Sequence, residues 1–216
     1  MRVVDLGCGT GELTHELHQT LSAEETIGVD NSESMLKKSK PGNGVRFDLS
    51  DIESYAPKEK VDLIFSNAAL HWVRDHHALL KRLASFLKPD GQLAIQMPAN
   101  DDHPSHATAG EVAREFGIDP RHDPLLPIDE YARVLYALGL KRQNVRMQIY
   151  GHELESAESV IEWVKGTLLT DYEKRLGTRY PEFLSRYKET LLPRLGGARP
   201  FFYTYKRVLI FGQNRV

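Results

Sequence analysis

Arg2-Val3-Val4-Asp5-Leu6-Gly7-Cys8-Gly9-Thr10-Gly11 decides how this chain is read. Arg2 to Leu6 is a short, β-branched run containing an acid, and it leads directly into three glycines. Beyond the loop, Leu13, Leu17 and Leu21 recur at helical spacing, so the order is strand, glycine loop, helix. Glycines lack the side chains that would keep a ligand from the backbone, and the start of a helix offers N–H groups without intrahelical partners. Such a turn suits a nucleotide-like ligand. Its spacing is GxGxG, however, and Glu12 stands where the dinucleotide fingerprint GxGxxG has its third glycine. A carboxylate is a poor neighbour for pyrophosphate.

Downstream the same rhythm repeats. Thr26-Ile27-Gly28-Val29, Val45-Arg46-Phe47 and Val61-Asp62-Leu63-Ile64-Phe65 read as strands, with a short helix over residues 32–38. Asp75 is placed to cap a helix whose apolar stripe is Leu79, Leu80, Leu83, Phe86 and Leu87. That helix is expected to end at Lys88, before a turn at Pro89-Asp90-Gly91 and a strand over residues 92–97. Alternating strands and helices predict an α/β, Rossmann-like fold with a mainly parallel sheet, in which ligands gather at the carboxyl ends of the strands. After Pro98 the pattern predicts helices over residues 108–116 and 128–138, and a strand over residues 145–150. Residues 156–195 read as wholly helical, with Thr170 and Glu173 spaced as a capping box and a stripe of Tyr180, Phe183, Leu184, Tyr187 and Leu191. We expect one domain over residues 1–216, with a helical, lid-like insertion at about 155–198 and an antiparallel last strand over residues 201–211.

Twenty-eight Lys and Arg against thirty Asp and Glu leave a net charge of −2, so no sequence-wide basic field attracts nucleic acid or anionic membrane. No apolar run is long enough to span a bilayer and no leader precedes the first strand, which makes the cytoplasm the expected location. Cys8 is the only cysteine, so no internal disulfide is expected.

Two further acids follow strands. Asp30 ends the second run about 20 residues after the loop, the placement at which a carboxylate accepts from ribose hydroxyls. Asp51, with Ile52 beside it, follows the third and is placed to meet an adenine, with Asp48 as its rival. Acids at three strand ends without a cationic clamp suit a nucleoside that carries positive charge, as the sulfonium S-adenosylmethionine does. Here the chain resembles the class I methyltransferases: DLGCGTG is similar to their first motif, GVD to their ribose-binding acid and LKPDGQLAIQMP to the approach to their fifth strand. The resemblance implies a cofactor site of Asp5, Gly7, Cys8, Gly9, Gly11, Asp30, Asn31, Met35, Asp51, Ile52, Asn67, Ala68 and Leu70.

A narrower resemblance follows the fourth strand. SNAALHWV at residues 66–73, QMPAN at 96–100, PSH at 104–106 and WVKGTL at 163–168 together resemble the trans-aconitate 2-methyltransferase family. SNAALHWV alone is also similar to malonyl-carrier-protein methyltransferases. The implied reaction methylates a carboxylate of a small polycarboxylic acid, with S-adenosylmethionine as the cofactor. A carboxylate is already ionised at neutral pH, so no catalytic acid or base is nominated. His71, Trp72, His106, Trp163, Lys165 and Arg207 are the candidates for holding the acid, Trp72 and Trp163 being expected to sit partly in the core. His76 and His77 are adjacent and have no third ligand spaced to join them, so no metal is expected. A monomer is the default. The family's N-terminal cap helices are expected to be absent, which makes an inactive cofactor-binding remnant the alternative of another class.

Overall fold

The computed structural model describes residues 1–214. Five strands lie in the first 98 residues: β1 (Arg2–Leu6), β2 (Glu25–Asp30), β3 (Val45–Leu49), β4 (Val61–Asn67) and β5 (Leu87–Pro98). Two more follow, β6 (Arg142–Leu154) and β7 (Phe201–Gln213). They form one sheet in the order β3-β2-β1-β4-β5-β7-β6. The first five pair in parallel and β7 runs antiparallel to β5, which agrees with the fold class expected from the sequence. Strand order reverses between β1 and β4, and at such a switch point the connections leave on opposite faces and open a crevice at the carboxyl ends.

The alternating runs become strands because nearly all their side chains are buried, as the two faces of a parallel sheet require. Val3, Val4, Ile27, Val29 and Ile64 are all 2% exposed or less. Helix α1 (Glu12–Thr20) follows β1, and α2 (Glu33–Leu36) follows β2. Helix α3 (His76–Ser85) buries Leu79, Leu80 and Leu83, and the Asp75 carboxylate accepts the Ala78 N–H at 2.9 Å, the cap expected of it. Helix α3 ends earlier than its apolar stripe suggests. Pro89-Asp90-Gly91 is not a free turn but a bulge inside β5: Leu87 pairs with Val61, yet Gln92 pairs with Leu63.

The chain divides into two compact units. The first contains Met1–Pro98, Pro124–Gln148 and the chain from Arg207, including α5 (Ile128–Ala137). Within it, His76 lies 2.5 Å from the Tyr131 hydroxyl. The second contains Ala99–Asp123 and Ile149–Lys206, a wider span than the helical segment expected at 155–198. It is built from α4 (Pro104–Glu115), α6 (Glu158–Lys165), α7 (Leu169–Leu176) and α8 (Tyr180–Leu195). Its core is aromatic, with Phe183 stacked on Tyr172 at 5.1 Å and on Tyr187 at 6.3 Å. The expected capping box does not form. Helix α7 starts from Leu168 without a side-chain cap, and the Thr170 hydroxyl donates to the Thr167 carbonyl at 2.6 Å instead.

Candidate active site

In the first unit, the loop after β1 is held by Gly7 N–H and Cys8 N–H, which donate to the Val29 carbonyl at 2.7 and 3.0 Å. Gly7 has φ +75°, and a Cβ there would lie 2.1 Å from that of Ala69, so only glycine lets the loop descend this far. At the crest, Gly9 has φ +57° and its missing side chain would meet nothing within 4 Å. The backbone is therefore exposed where a ligand would approach it. A cleft of about 330 Å³ opens there, lined by Asp5, Gly7, Cys8, Gly9, Thr10, Leu13, Met35 and Asn67. None of these is a lysine or arginine.

Asp5 lies at the base of this cleft. It is 2% exposed, and burial pushes its carboxyl up to about 6, although the Thr14 hydroxyl donates to it at 2.6 Å. Burial likewise pushes the Cys8 thiol up to about 12, so it is an inert wall rather than a nucleophile. Asp30 accepts the Gly9 N–H at 2.9 Å and the Ser32 N–H at 2.8 Å, which fixes its carboxylate beside the loop. Capping of α2 falls to the Ser32 hydroxyl, which accepts the Met35 N–H at 3.3 Å. Asp30 is therefore not the cap. Asp48 and Asp51 have different surroundings. Arg46 binds both oxygens of Asp48 at 2.6 Å, whereas Asp51 stands exposed at the end of β3, accepting from Glu53 N–H at 2.8 Å and from Asn31 at 3.2 Å.

After β4 the chain turns sharply. Ala68 takes φ +56°, a left-handed conformation that is costly for a residue with a Cβ, leaving Asn67 exposed while Ala69 and Leu70 turn inward. Leu70 is 1% exposed and its carbonyl lies 3.1 Å from the buried His76 ring, so the residue belongs to the core. His71 is buried and Trp72 is 58% exposed, against the expectation that this tryptophan is partly core. Their rings lie 5.0 Å apart. Arg207 is half-buried on β7, opposite Pro98.

The remaining candidates lie in the second unit. Lys165 is tied to Glu162 at 2.6 Å, so its charge is compensated locally. Trp163 is half-buried between His152 at 4.7 Å and Tyr203 at 5.6 Å, an aromatic wall. Burial holds His106 down to about 3, which makes it a neutral ring and removes it as a cationic clamp for a carboxylate. Asn100, 1% exposed, ties Lys206 in place: it accepts the Lys206 N–H at 2.8 Å and donates to its carbonyl at 3.0 Å. Among the described residues no group of three His, Cys, Asp or Glu is placed to hold a metal ion. No helix among them is long and apolar enough to cross a membrane.

Thr10, Leu13 and Thr14 were not foreseen as site residues. Leu13 recurs at helical spacing with Leu17 and Leu21, and it is 36% exposed and lines the cleft, while Thr14 is the buried residue of α1. No spacing marks this pair: a threonine nine residues from its partner acid looks like any helical threonine.

Comparison with known proteins places this geometry. Residues 1–134 match a family model described as a methyltransferase domain. The chain is 40% identical to a trans-aconitate 2-methyltransferase of Deinococcus radiodurans, over 96% of this chain and 84% of that protein. It is 39% identical to one of Variovorax paradoxus, over 97% of this chain and 83% of that protein. The fold is shared with a putative methyltransferase of Bacillus halodurans, at 15% identity and a TM-score of 0.64, over 100% of this chain and 93% of that one. It is shared too with the YcgJ protein of Bacillus subtilis, at 23% identity and a TM-score of 0.62, over 100% and 92%. A cation-free cleft, three strand-end acids and matches that run through both units have one reading: the chain belongs to the trans-aconitate 2-methyltransferase family of S-adenosylmethionine-dependent methyltransferases.

Proposed function

We propose that this enzyme methylates a carboxylate of a small polycarboxylic acid, trans-aconitate, to give its monomethyl ester. The observation that carries this reading is the extent of the match. Relatives bearing that name align over 96% and 97% of the chain, well past residue 134, where the general methyltransferase model stops. The second unit, with its acceptor-side candidates, is thus included in the likeness.

The first unit's residues fit the cofactor. The open backbone at Gly9 accommodates a close ligand, and the Asp30 and Asp51 carboxylates are acceptors for hydroxyl and amino donors. When bound, S-adenosylmethionine supplies an electrophilic methyl group on a sulfonium. Asp5 and Asp30 put negative potential along the cleft and no cation opposes it. Asn67, held at the tip of β4 by the strained Ala68, and the exposed face of Trp72 orient the reacting groups and screen them from water. The acid's carboxylate is the nucleophile as it stands, so no side chain has to remove a proton. Arg207, half-buried on β7, is the cation suited to a bidentate grip on a second carboxylate.

The test is direct. Incubated with S-adenosylmethionine and trans-aconitate and no carrier protein, the chain should yield a monomethyl ester and S-adenosylhomocysteine, read by mass spectrometry. A folded chain that binds S-adenosylhomocysteine yet esterifies no tricarboxylate would sink the acceptor assignment. In calorimetry, Asp30→Ala should weaken S-adenosylhomocysteine binding roughly 30- to 100-fold, the size of two or more lost charge-assisted hydrogen bonds.

A further inference from the structure

The turn after β4 is strained and has to be held by its surroundings. Ala68 has φ +56°, a conformation that persists only where neighbouring contacts fix it. On the upstream side, the Ala68 N–H donates to the Gln96 carbonyl at 2.9 Å and the Ser66 hydroxyl to the Leu6 carbonyl at 2.7 Å. Downstream, the Leu70 carbonyl accepts the Val73 N–H at 3.0 Å and lies 3.1 Å from Nε2 of His76. A carbonyl can only accept, so His76 Nε2 carries a hydrogen and donates it. Burial holds this ring below the ordinary histidine range, with His77 acting the same way and the Leu70 and Val73 carbonyls and Asp75 against it. The ring is therefore neutral and its Nδ1 is bare, so the Tyr131 hydroxyl 2.5 Å away donates to it. The Tyr131 oxygen in turn accepts the Leu126 N–H at 3.2 Å.

Every member of this chain of bonds belongs to the first unit. His76 is 2% exposed, and Tyr131 and Leu70 are 1% or less, so bulk water cannot stand in for a lost partner. What the turn carries is a wall of the cofactor cleft. Asn67 lines that cleft directly. Ala69 sits so close against the glycine loop that a Cβ added at Gly7 would lie 2.1 Å from its own. In packing this tight, movement of Leu70 is passed to both the asparagine and the loop.

We propose that His76 is a positioning residue for the cofactor cleft: by gripping the Leu70 carbonyl, with Tyr131 as its anchor on α5, it holds Asn67 and Ala69 in place. It touches no reacting atom. The turnover arm of the test rests on the reaction proposed above; the other two arms do not.

All three arms use the full chain. In a two-bond ¹⁵N–¹H spectrum at neutral pH, His76 should show a protonated Nε2 and a bare Nδ1. In calorimetry, His76→Phe keeps a ring beside Tyr131 but has no donor, and it should weaken S-adenosylhomocysteine binding about fivefold, as loss of one hydrogen bond implies. Tyr131→Phe keeps the imidazole and removes its anchor, and should weaken binding about threefold, with no further loss when combined with His76→Phe. His76→Gln, whose amide N–H replaces the donor, should stay within about twofold of the wild type. In turnover, KM for S-adenosylmethionine should rise by the same factors while kcat changes little. Affinities are read on fully folded variants, which separates positioning from stability. A lower melting temperature with unchanged affinity in both phenylalanine variants overturns the proposal, and so does a wild-type His76 protonated on Nδ1. If His76→Phe does not fold, Tyr131→Phe decides. The expected losses of affinity in a chain that methylates no acid support the positioning role and count against the reaction.

Discussion

Asp5 carries its carboxyl at the floor of the cleft with a pKa pushed up to about 6, and burial is the cause. A carboxyl whose folded value lies above its ordinary 3.8 binds its proton more tightly when folded. Its stabilising contribution is therefore complete below about pH 4 and is lost as pH rises through 6, a swing of roughly 3 kcal/mol. Asp5→Asn should melt close to the wild type near pH 4 and increasingly above it by pH 7, since the amide carbonyl still accepts from Thr14 and carries no charge. Thermal melts across that range decide the matter, and a constant difference would refute the burial argument. Gln96 offers a complementary case. Both polar atoms of its amide are buried without a partner among the described residues, beside an apolar groove lined by Phe65, Leu209 and Phe211. Gln96→Met should raise stability by about 1–2 kcal/mol in urea unfolding, the desolvation cost of an unsatisfied amide. Neither state was legible in the sequence, where an acid before a glycine loop and a glutamine in a strand look ordinary.

At the scale of elements, what the sequence disclosed depended on whether packing or hydrogen bonding chose the outcome. Strands β1, β2 and β4 were legible because burial on both faces demands unbroken apolar runs, and Asp75 because a cap needs only a local side chain. Asp75→Ala should cost about 1 kcal/mol in chemical denaturation. Thr170→Ala should cost under about 0.5 kcal/mol, since α7 takes no cap from that side chain. Helix α1 was less legible. Its leucines recur at helical spacing, but the position against the sheet goes to Thr14, whose hydroxyl satisfies a buried acid that a leucine would leave unpaired. Pro89-Asp90-Gly91 misled because a bulge within a strand and a turn between elements use the same residues. In the site, Asp30 and Asp51 were visible from their distance to a strand end. The contacts of Ser105 with His103 and His106 were not, because they follow from how the buried side chains pack, which no spacing records.

For the whole molecule, the order of strands in the sheet matters more than their order in the chain. The chain crosses from the first unit to the second and back twice, so neither unit is one continuous segment. Ending the chain at Lys206 would remove the half of β7 that pairs with β5 and leave that strand's whole edge unmatched. The expected result is an aggregating product without a cooperative melt, checked by solubility and circular dichroism; a soluble, sharply melting truncation would refute it. Synthesis meets the same difficulty in every copy. Strand β5 is complete at Pro98, yet β7, which separates it from β6, begins at Phe201. At ordinary translation rates a nascent chain therefore waits on the order of ten seconds with a bare sheet edge at the ribosome's exit. During that interval the edge offers its unpaired backbone groups to any other strand, and a ribosome stall after residue 98 prolongs the exposure.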